Sequence, residues 1–206
     1  HLSLYSLTIE EGTLLYQQVE DKIFAYPDDD LAADMMQTAI SMLNNAGYVH
    51  YEISNWAKSG FECRHNKQYW KNRPYFGFGA GAHGLVGNVR TINEASPITY
   101  IDRCIQETVP QLPIGPAAIE HHSRNRDEQI EDHMILNLRF LQDGVNMTEF
   151  ERQFGEKLED VYPDTLMYLV ETGLLEWNKD GHSLYIPEKH FFTANQILVN
   201  FLGGGD

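Results

Sequence analysis

The chain opens with a strand, a helix and a second strand in succession, and this order restricts it to a small set of folds. Residues 2 to 7 carry apolar side chains on both alternating faces, which is typical of a strand covered on both sides. Pro27-Asp28-Asp29-Asp30 supplies a helix start, because acidic groups favour the positive end of the helix dipole, and Gly47 supplies a C-cap. Residues 48 to 54 fit the next strand. The sequence therefore predicts a parallel α/β unit, with functional residues at the carboxyl ends of its strands.

The pattern changes after a stretch rich in proline and glycine, residues 110 to 116. His121-His122-Ser123-Arg124 extends this stretch as a polar linker, and we predict two domains, residues 1–115 and 116–206. Downstream, helical segments precede a β-hairpin that turns through Asp180-Gly181. Helices followed by a two-stranded wing are the order of a winged-helix domain, which ordinarily suggests DNA binding.

The charge of the chain argues against a nucleic-acid partner. The net charge is −15, and from residue 120 onward seven Lys and Arg stand against seventeen Asp and Glu. The segment from Asp160 to Glu171, where a recognition helix would lie, has no Lys or Arg. Because DNA-binding proteins neutralise several phosphates, we expect this acidic module to pack against protein instead.

The cysteine content and the hydropathy of the chain indicate its cellular compartment. The only two cysteines, Cys63 and Cys104, are too few for a disulfide framework and fit a reducing cytoplasm. No stretch reaches the roughly 18 apolar residues that a membrane span needs. Because the chain begins directly on a strand without Met, we expect it to be cut from a longer protein.

The most unusual composition lies in the middle of the chain. His65-Asn66-Lys67-Gln68-Tyr69-Trp70 brings a metal-capable imidazole, an amide and two large aromatic rings together, and Cys63 precedes it. Glycines at positions 77, 79, 81 and 84 follow, where they permit positive φ angles and free backbone amides. The run lacks both the Rossmann spacing and the P-loop GK[ST], so we predict no dinucleotide or triphosphate site. A ligand site and a set of core anchors both remain open.

Three stretches together resemble a known family: HLSLYSLTIEEGT, HYEISNWAKSGFECRHNKQYW and PYFGFGAGAHG. They are similar to the HemW-type haem chaperones, which are radical S-adenosylmethionine proteins related to the oxygen-independent coproporphyrinogen III oxidases. The resemblance spans essentially the whole chain. It implies an α/β fold, the C-terminal part of a partial (βα)6 TIM-like radical-SAM barrel, followed by an α+β winged-helix-like domain. The HNxxYW pattern resembles the feature that separates the chaperones from the oxidases; its members are His65, Asn66, Tyr69 and Trp70.

The resemblance also implies cofactors that this chain cannot hold alone. The family carries a [4Fe–4S] cluster on a CxxxCxxC motif, with S-adenosylmethionine at the cluster. Cys63 and Cys104 lie far apart in the sequence and cannot supply three clustered thiolates, so we expect the cluster loop upstream. Thr8 and His83 fall where family members approach S-adenosylmethionine. For His83, a role in fixing the glycine turn remains an alternative.

Haem is the ligand that the resemblance assigns to the hexapeptide. A neutral imidazole is the usual axial ligand of haem iron, and a Cys thiolate is an alternative. We expect His65 to be the metal ligand, with Cys63 as second choice. We expect Tyr69 and Trp70 to line the haem pocket. We expect Arg64 or Arg73 to pair with a haem propionate.

Three functions follow as hypotheses. In the first, the intact protein binds haem and delivers it to acceptor haemoproteins. In the second, it is an oxygen-independent coproporphyrinogen III oxidase that decarboxylates its substrate to protoporphyrinogen IX by radical chemistry. In the third, the acidic helical half is a protein-interaction module. Whether the intact protein is a homodimer is also open.

Overall fold

The structure, a computed structural model, describes residues 1–106, 111–141 and 143–203. It divides into two compact units, His1–Cys63 and a second unit that begins at Arg64. The predicted domain boundary between residues 115 and 116 remains a prediction. Pro110, part of the predicted linker, lies outside the described residues.

The first unit contains a three-stranded sheet formed by β1 (Leu2–Ser3), β2 (Val49–Glu52) and β3 (Asn55–Ala57). Its strand order is β1-β3-β2, and β3 pairs antiparallel with both neighbours. β1 and β2 therefore run parallel to each other, as the predicted parallel α/β unit requires, but they do not pair directly. The chain turns at residues 53 and 54 and returns as β3, which lies between them. Trp56 on β3 is fully buried and stacks on His50, with ring centroids 4.0 Å apart.

Two helices complete the first unit, α1 (Leu14–Glu20) and α2 (Asp29–Asn45). The predicted start of α2 is confirmed, because the Asp28 carboxylate accepts a hydrogen bond from the Leu31 backbone amide at 2.9 Å. Gly47 follows the helix with φ of +74°, as a C-terminal glycine should. The opening strand is shorter than predicted and is not covered on both sides, since Tyr5 and Leu7 are exposed.

The second unit begins with α3 (Arg64–Trp70), followed by β4 (His83–Val86), β5 (Val89–Asn93), α4 (Pro97–Gln106) and β6 (Ala118–Ser123). The sequence Val89-Arg90-Thr91-Ile92-Asn93 predicts a short strand and Ser96-Pro97 predicts a helix start, and both predictions are confirmed by β5 and α4. The strands form an antiparallel sheet in the order β4-β5-β6. The linker predicted at His121 and His122 is wrong, because both residues belong to β6 and pair with β5.

The remaining elements of the second unit are helical, with a small sheet in the order β7-β9-β8. The predicted hairpin is confirmed as β8 and β9, and β7 joins its other edge. In chain order the elements are α5 (Arg126–Asn137), β7 (Val145–Asn146), α6 (Met147–Phe154), α7 (Leu158–Val161), α8 (Pro163–Glu171), β8 (Glu176–Trp177), β9 (Ser183–Tyr185) and α9 (Ala194–Leu198), the last flanked by 3₁₀ turns at Glu188–Thr193 and Val199–Phe201.

The helical spacing of Ile130, Met134 and Leu138 predicts one apolar face, and all three side chains are buried in the core of this unit. The sequence Thr148-Glu149-Phe150-Glu151 by itself predicts a capping box with Thr148 as the N-cap. That prediction is wrong: the N-cap of α6 is Asn146, whose side chain accepts a hydrogen bond from the Glu149 amide, because the helix already begins at Met147. Within the described ranges, no helix has both the length and the apolar character needed to cross a membrane.

Candidate functional site

The candidate haem ligand lies on α3, where it is exposed to solvent. His65 and Tyr69 are four residues apart, so their side chains share one face of the helix. The Tyr69 hydroxyl and His65 Nε2 share a hydrogen bond of 2.8 Å, and their ring planes are close to perpendicular at 82°. The imidazole is therefore accessible and is held in one orientation by a phenol.

A second aromatic contact joins this face of α3 to the sheet that follows. The Tyr69 ring lies edge-on to the Tyr75 ring, with centroids 4.5 Å apart. Tyr75 is fixed by two backbone hydrogen bonds to Leu85 on β4, of 2.6 and 2.8 Å. Burial raises the pKa of the Tyr75 hydroxyl, so this ring stays neutral at physiological pH. His65, Tyr69 and Tyr75 form a continuous row that ends at the sheet.

Trp70 and Asn66 point to a structural contribution from the rest of the hexapeptide. The Arg139 guanidinium lies 4.4 Å from the centre of the Trp70 ring, a cation–π contact that attaches α3 to the end of α5. Trp70 Nε1 is buried and has no acceptor within the described ranges. Asn66 is half-buried on the same helix. The structure thus brings His65 and Tyr69 together, while Trp70 packs against Arg139.

The glycine run is ordered by its own neighbours rather than left open for a ligand. Asn93 Nδ2 donates to the carbonyl oxygens of Gly77 and Gly79, at 3.0 and 3.1 Å. The Gly79 amide donates to the Tyr100 hydroxyl, and the Gly81 amide donates to the Glu94 carbonyl. The prediction of free amides is therefore wrong for Gly79 and Gly81. Their positive φ angles, +107° and +69°, confirm the predicted conformational need for glycine.

His83 begins β4 and lines a groove on one face of the β4-β5-β6 sheet. The groove has a volume of about 520 Å³ and contains Tyr75, Arg90 and His122 as well. It therefore adjoins the row of rings that starts at His65. The sequence pattern did not reveal this groove, because β6 was predicted to be linker. Ala118–Ser123 shows no alternation of apolar and polar residues, so no local signal predicts this strand.

The remaining candidates lie apart in the sequence. Thr8 is exposed on the loop between β1 and α1 of the first unit. Cys63 ends that unit, and its backbone amide donates to the Tyr51 hydroxyl at 3.3 Å. Arg64 and Arg73 are exposed near the two ends of α3.

The cysteines do not fit an iron–sulfur cluster. Cys63 belongs to the first unit, whereas Cys104 lines an apolar cavity of about 300 Å³ in the second. Among the described residues, no three His, Cys, Asp or Glu side chains are grouped so as to bind a metal ion. A cluster needs several thiolates, whereas haem iron needs only one or two axial ligands from the protein. The residues present are thus compatible with haem and not with a cluster.

Comparison with known proteins finds relatives along nearly the whole chain. Residues 125–185 match the HemN C-terminal domain. The heme chaperone HemW of Bacillus subtilis is 34% identical over 203 residues, which cover 98% of this chain and 51% of that protein. The chain is similar to HemW heme chaperones over 98% of its length. The resemblance seen in the sequence is therefore confirmed.

Other relatives agree with this assignment. HemW of Mycobacterium tuberculosis H37Rv is 41% identical over 98% of this chain and 47% of its own length. A mouse mitochondrial protein named radical S-adenosyl methionine domain-containing protein 1 is 49% identical over 84 residues, which are 41% of this chain and 19% of that protein. The chain thus spans about half the length of the curated relatives that match it throughout.

A solved structure shows the same fold. The coproporphyrinogen III oxidase HemN of Escherichia coli, described as a radical SAM enzyme, aligns with a TM-score of 0.64 over 85% of this chain and 42% of its own. Its sequence identity is 17%, so the similarity concerns the fold alone. The mixed α/β class of this chain is confirmed by that match.

Proposed function

We propose that this chain supplies the iron ligand of a protein that binds haem and delivers it to acceptor haemoproteins. The observation that carries this function is the exposed imidazole of His65, oriented by Tyr69 on α3. The relatives that match 98% of the chain are named heme chaperones, which supports the same function. A chaperone must release its cargo, and an exposed single ligand suits reversible binding.

His65 Nε2 is the atom that ligates iron in this proposal. Nε2 lies farther from the backbone than Nδ1, so a flat macrocycle meets less steric hindrance there. The Tyr69 hydroxyl occupies the same nitrogen at 2.8 Å. Haem binding therefore replaces one hydrogen bond by a coordinate bond, and Tyr69 then lies beside the iron ligand with a free hydroxyl.

For the intact protein we propose the architecture that the family implies. Residues 1–115 belong to a partial (βα)6 barrel, and residues 116–206 form a winged-helix-like domain. The similarity in fold to HemN and the match of residues 125–185 to its C-terminal domain support this arrangement. S-adenosylmethionine approaches Thr8 and His83 in this proposal. The two cysteines also support a cytoplasmic protein.

Haem titration of the full chain tests the function. Wild type is expected to give a shifted, saturable Soret band, and His65→Ala is expected to lose it. His182→Ala is the matched control, because His182 is an exposed histidine at the β8–β9 turn. Cys63→Ala tests whether Cys63, the second candidate ligand, contributes to the Soret band. If His65→Ala retains the wild-type band while circular dichroism shows an intact fold, His65 is not the ligand.

The oxidase alternative is tested separately, on the reconstituted full-length protein. Assayed without oxygen, that protein is expected to form no protoporphyrinogen IX from coproporphyrinogen III. Formation of that product with turnover would favour the oxidase function instead.

A further inference from the structure

The groove beside Tyr75 is built from one face of the β4-β5-β6 sheet. Residues that pair directly across strands project to the same face, as do alternate residues along a strand. His83, Ile92 and Glu120 form one row across the three strands, and Leu85, Arg90 and His122 form the next. The two rows present an arginine and two imidazoles around an aliphatic floor.

Arg90 shares its carboxylate partner, Asp132, with a second arginine. Its Nη2 lies 2.7 Å from Asp132 Oδ1, but Asp132 Oδ2 also accepts from Arg124 at 2.5 Å. Arg124 is buried and Arg90 is half-exposed. One carboxylate therefore serves two guanidinium groups, and it cannot neutralise both. Because a guanidinium has five N–H donors, Arg90 retains donors for a second anion.

The groove is continuous with the candidate iron ligand. The Tyr75 ring forms its wall, Tyr69 contacts Tyr75, and His65 contacts Tyr69. The centroid distances in this row are 4.5 Å and 4.8 Å. A ligand that reaches both ends must be broad and flat, with an anionic edge. Haem has this shape, because its two propionates lie on one edge of the macrocycle.

We propose that the groove binds the propionate edge of haem, with Arg90 as the principal partner, because His122 Nε2 is already held by the Glu128 carboxylate at 2.8 Å. This inference rests on the proposed haem function. Arg90 is held in place by Asp132, whereas Arg64 and Arg73 are exposed at the ends of α3, so less side-chain entropy is lost on binding through Arg90. Glu120 lies in the neighbouring row, where its carboxylate repels an anionic edge.

The test compares haem with haem dimethyl ester, whose propionates carry no charge. We expect Arg90→Gln to weaken haem binding about tenfold and to leave binding of the ester unchanged. Arg126→Gln is the matched control, because Arg126 is a half-exposed arginine that is paired with Glu156 at 3.0 Å outside the groove. Arg90→Lys is expected to recover part of the lost affinity, since it retains the charge.

A second variant, which is expected to raise the affinity for haem, excludes misfolding as the explanation of weaker binding in Arg90→Gln. Glu120→Gln removes the repulsive carboxylate, and we expect it to tighten haem binding severalfold without affecting the ester. Equal effects of Arg90→Gln on haem and ester, or no effect on haem, would overturn the groove while leaving His65 as ligand. A wild-type chain that shifts the Soret band of neither compound would overturn the haem function and the groove together.

Discussion

His65 Nε2 and the Tyr69 hydroxyl lie 2.8 Å apart, on adjacent turns of α3, within a row of rings that leads to the sheet. This hydrogen bond occupies the nitrogen that is best placed to ligate iron. It therefore orients the imidazole in the empty state and opposes coordination by a modest amount. The pair sets both the direction and the strength of the proposed haem ligation.

Tyr69→Phe is expected to tighten haem binding. The substitution keeps the ring contacts and removes the competing hydroxyl, whose hydrogen bond contributes about 1 kcal/mol, so we expect an increase of roughly fivefold in affinity. Soret titration measures the change. Tyr168→Phe is the control, because Tyr168 is an exposed tyrosine of α8. A clear loss of affinity in Tyr69→Phe would mean that the hydroxyl supports ligation instead, as it would if Nδ1 bound the iron.

Local signals in the sequence predicted several elements correctly, because each depends on neighbouring residues. Asp28 caps α2 through the Leu31 amide, and Gly47 ends the helix with a positive φ angle. The pairing of strands was not predictable in the same way. β3 lies between β1 and β2 because of a turn at residues 53 and 54, and the sequence there carries no glycine or proline to indicate it.

The candidate site likewise combines features that local sequence predicts with features that depend on distant residues. The spacing of His65 and Tyr69 places them on one helical face as soon as α3 is a helix. The contribution of Arg90 depends on Asp132, which is 42 residues away, and on the register between β5 and β6. No local pattern contains that information. Likewise, the Gly81 amide donates a hydrogen bond to the Glu94 carbonyl and the Gly79 amide donates one to the Tyr100 hydroxyl, and both acceptors are distant in the sequence.

His133 is expected to make stability depend on pH. It is buried between Phe150 and Phe154, and burial lowers its pKa from 6.5 to about 4. Between these values the unfolded chain binds a proton that the folded chain does not. Stability is therefore complete above pH 6.5 and falls as the pH is lowered toward 4, by about 3 kcal/mol in total from this residue.

Urea unfolding of wild type and His133→Leu at several pH values measures this contribution. The variant is expected to lose less stability between pH 6.5 and pH 4, whatever its stability at neutral pH. His182→Ala, an exposed histidine, should retain the wild-type slope. If the free energy of unfolding depends on pH in the same way for wild type and His133→Leu, His133 is protonated in the folded chain as readily as in the unfolded chain.

Arg124 is expected to be important for stability. Its Nη1 lies 2.5 Å from Asp132 Oδ2 and donates to Asn72 Oδ1 at 3.1 Å, which ties the turn after α3 to α5. Because this arginine is buried, we expect Arg124→Met to lower the free energy of unfolding by about 3 kcal/mol. Arg126→Met removes an exposed ion pair and should change it by less than about 1 kcal/mol. Equal effects in chemical denaturation would contradict the assigned difference.

Gly77→Ala tests the packing of the glycine run. A Cβ atom at position 77 would overlap the backbone carbonyl of His83, which cannot move without disturbing β4. We expect a loss of about 1 to 3 kcal/mol in the free energy of unfolding. Gly115→Ala is the control, since a Cβ atom there meets nothing within 4 Å. Thermal unfolding of both variants provides the comparison, and a Gly77→Ala variant as stable as Gly115→Ala would exclude the close approach.

The most direct test of the central claim is the Soret spectrum of ferric haem bound to His65→Cys, compared with wild type and His65→Ala. If His65 ligates the iron, His65→Cys should move the band to the position of thiolate-ligated haem, and His65→Ala should lose the wild-type band. If all three proteins give the same band, another residue binds the iron, and the assignment of His65 is wrong.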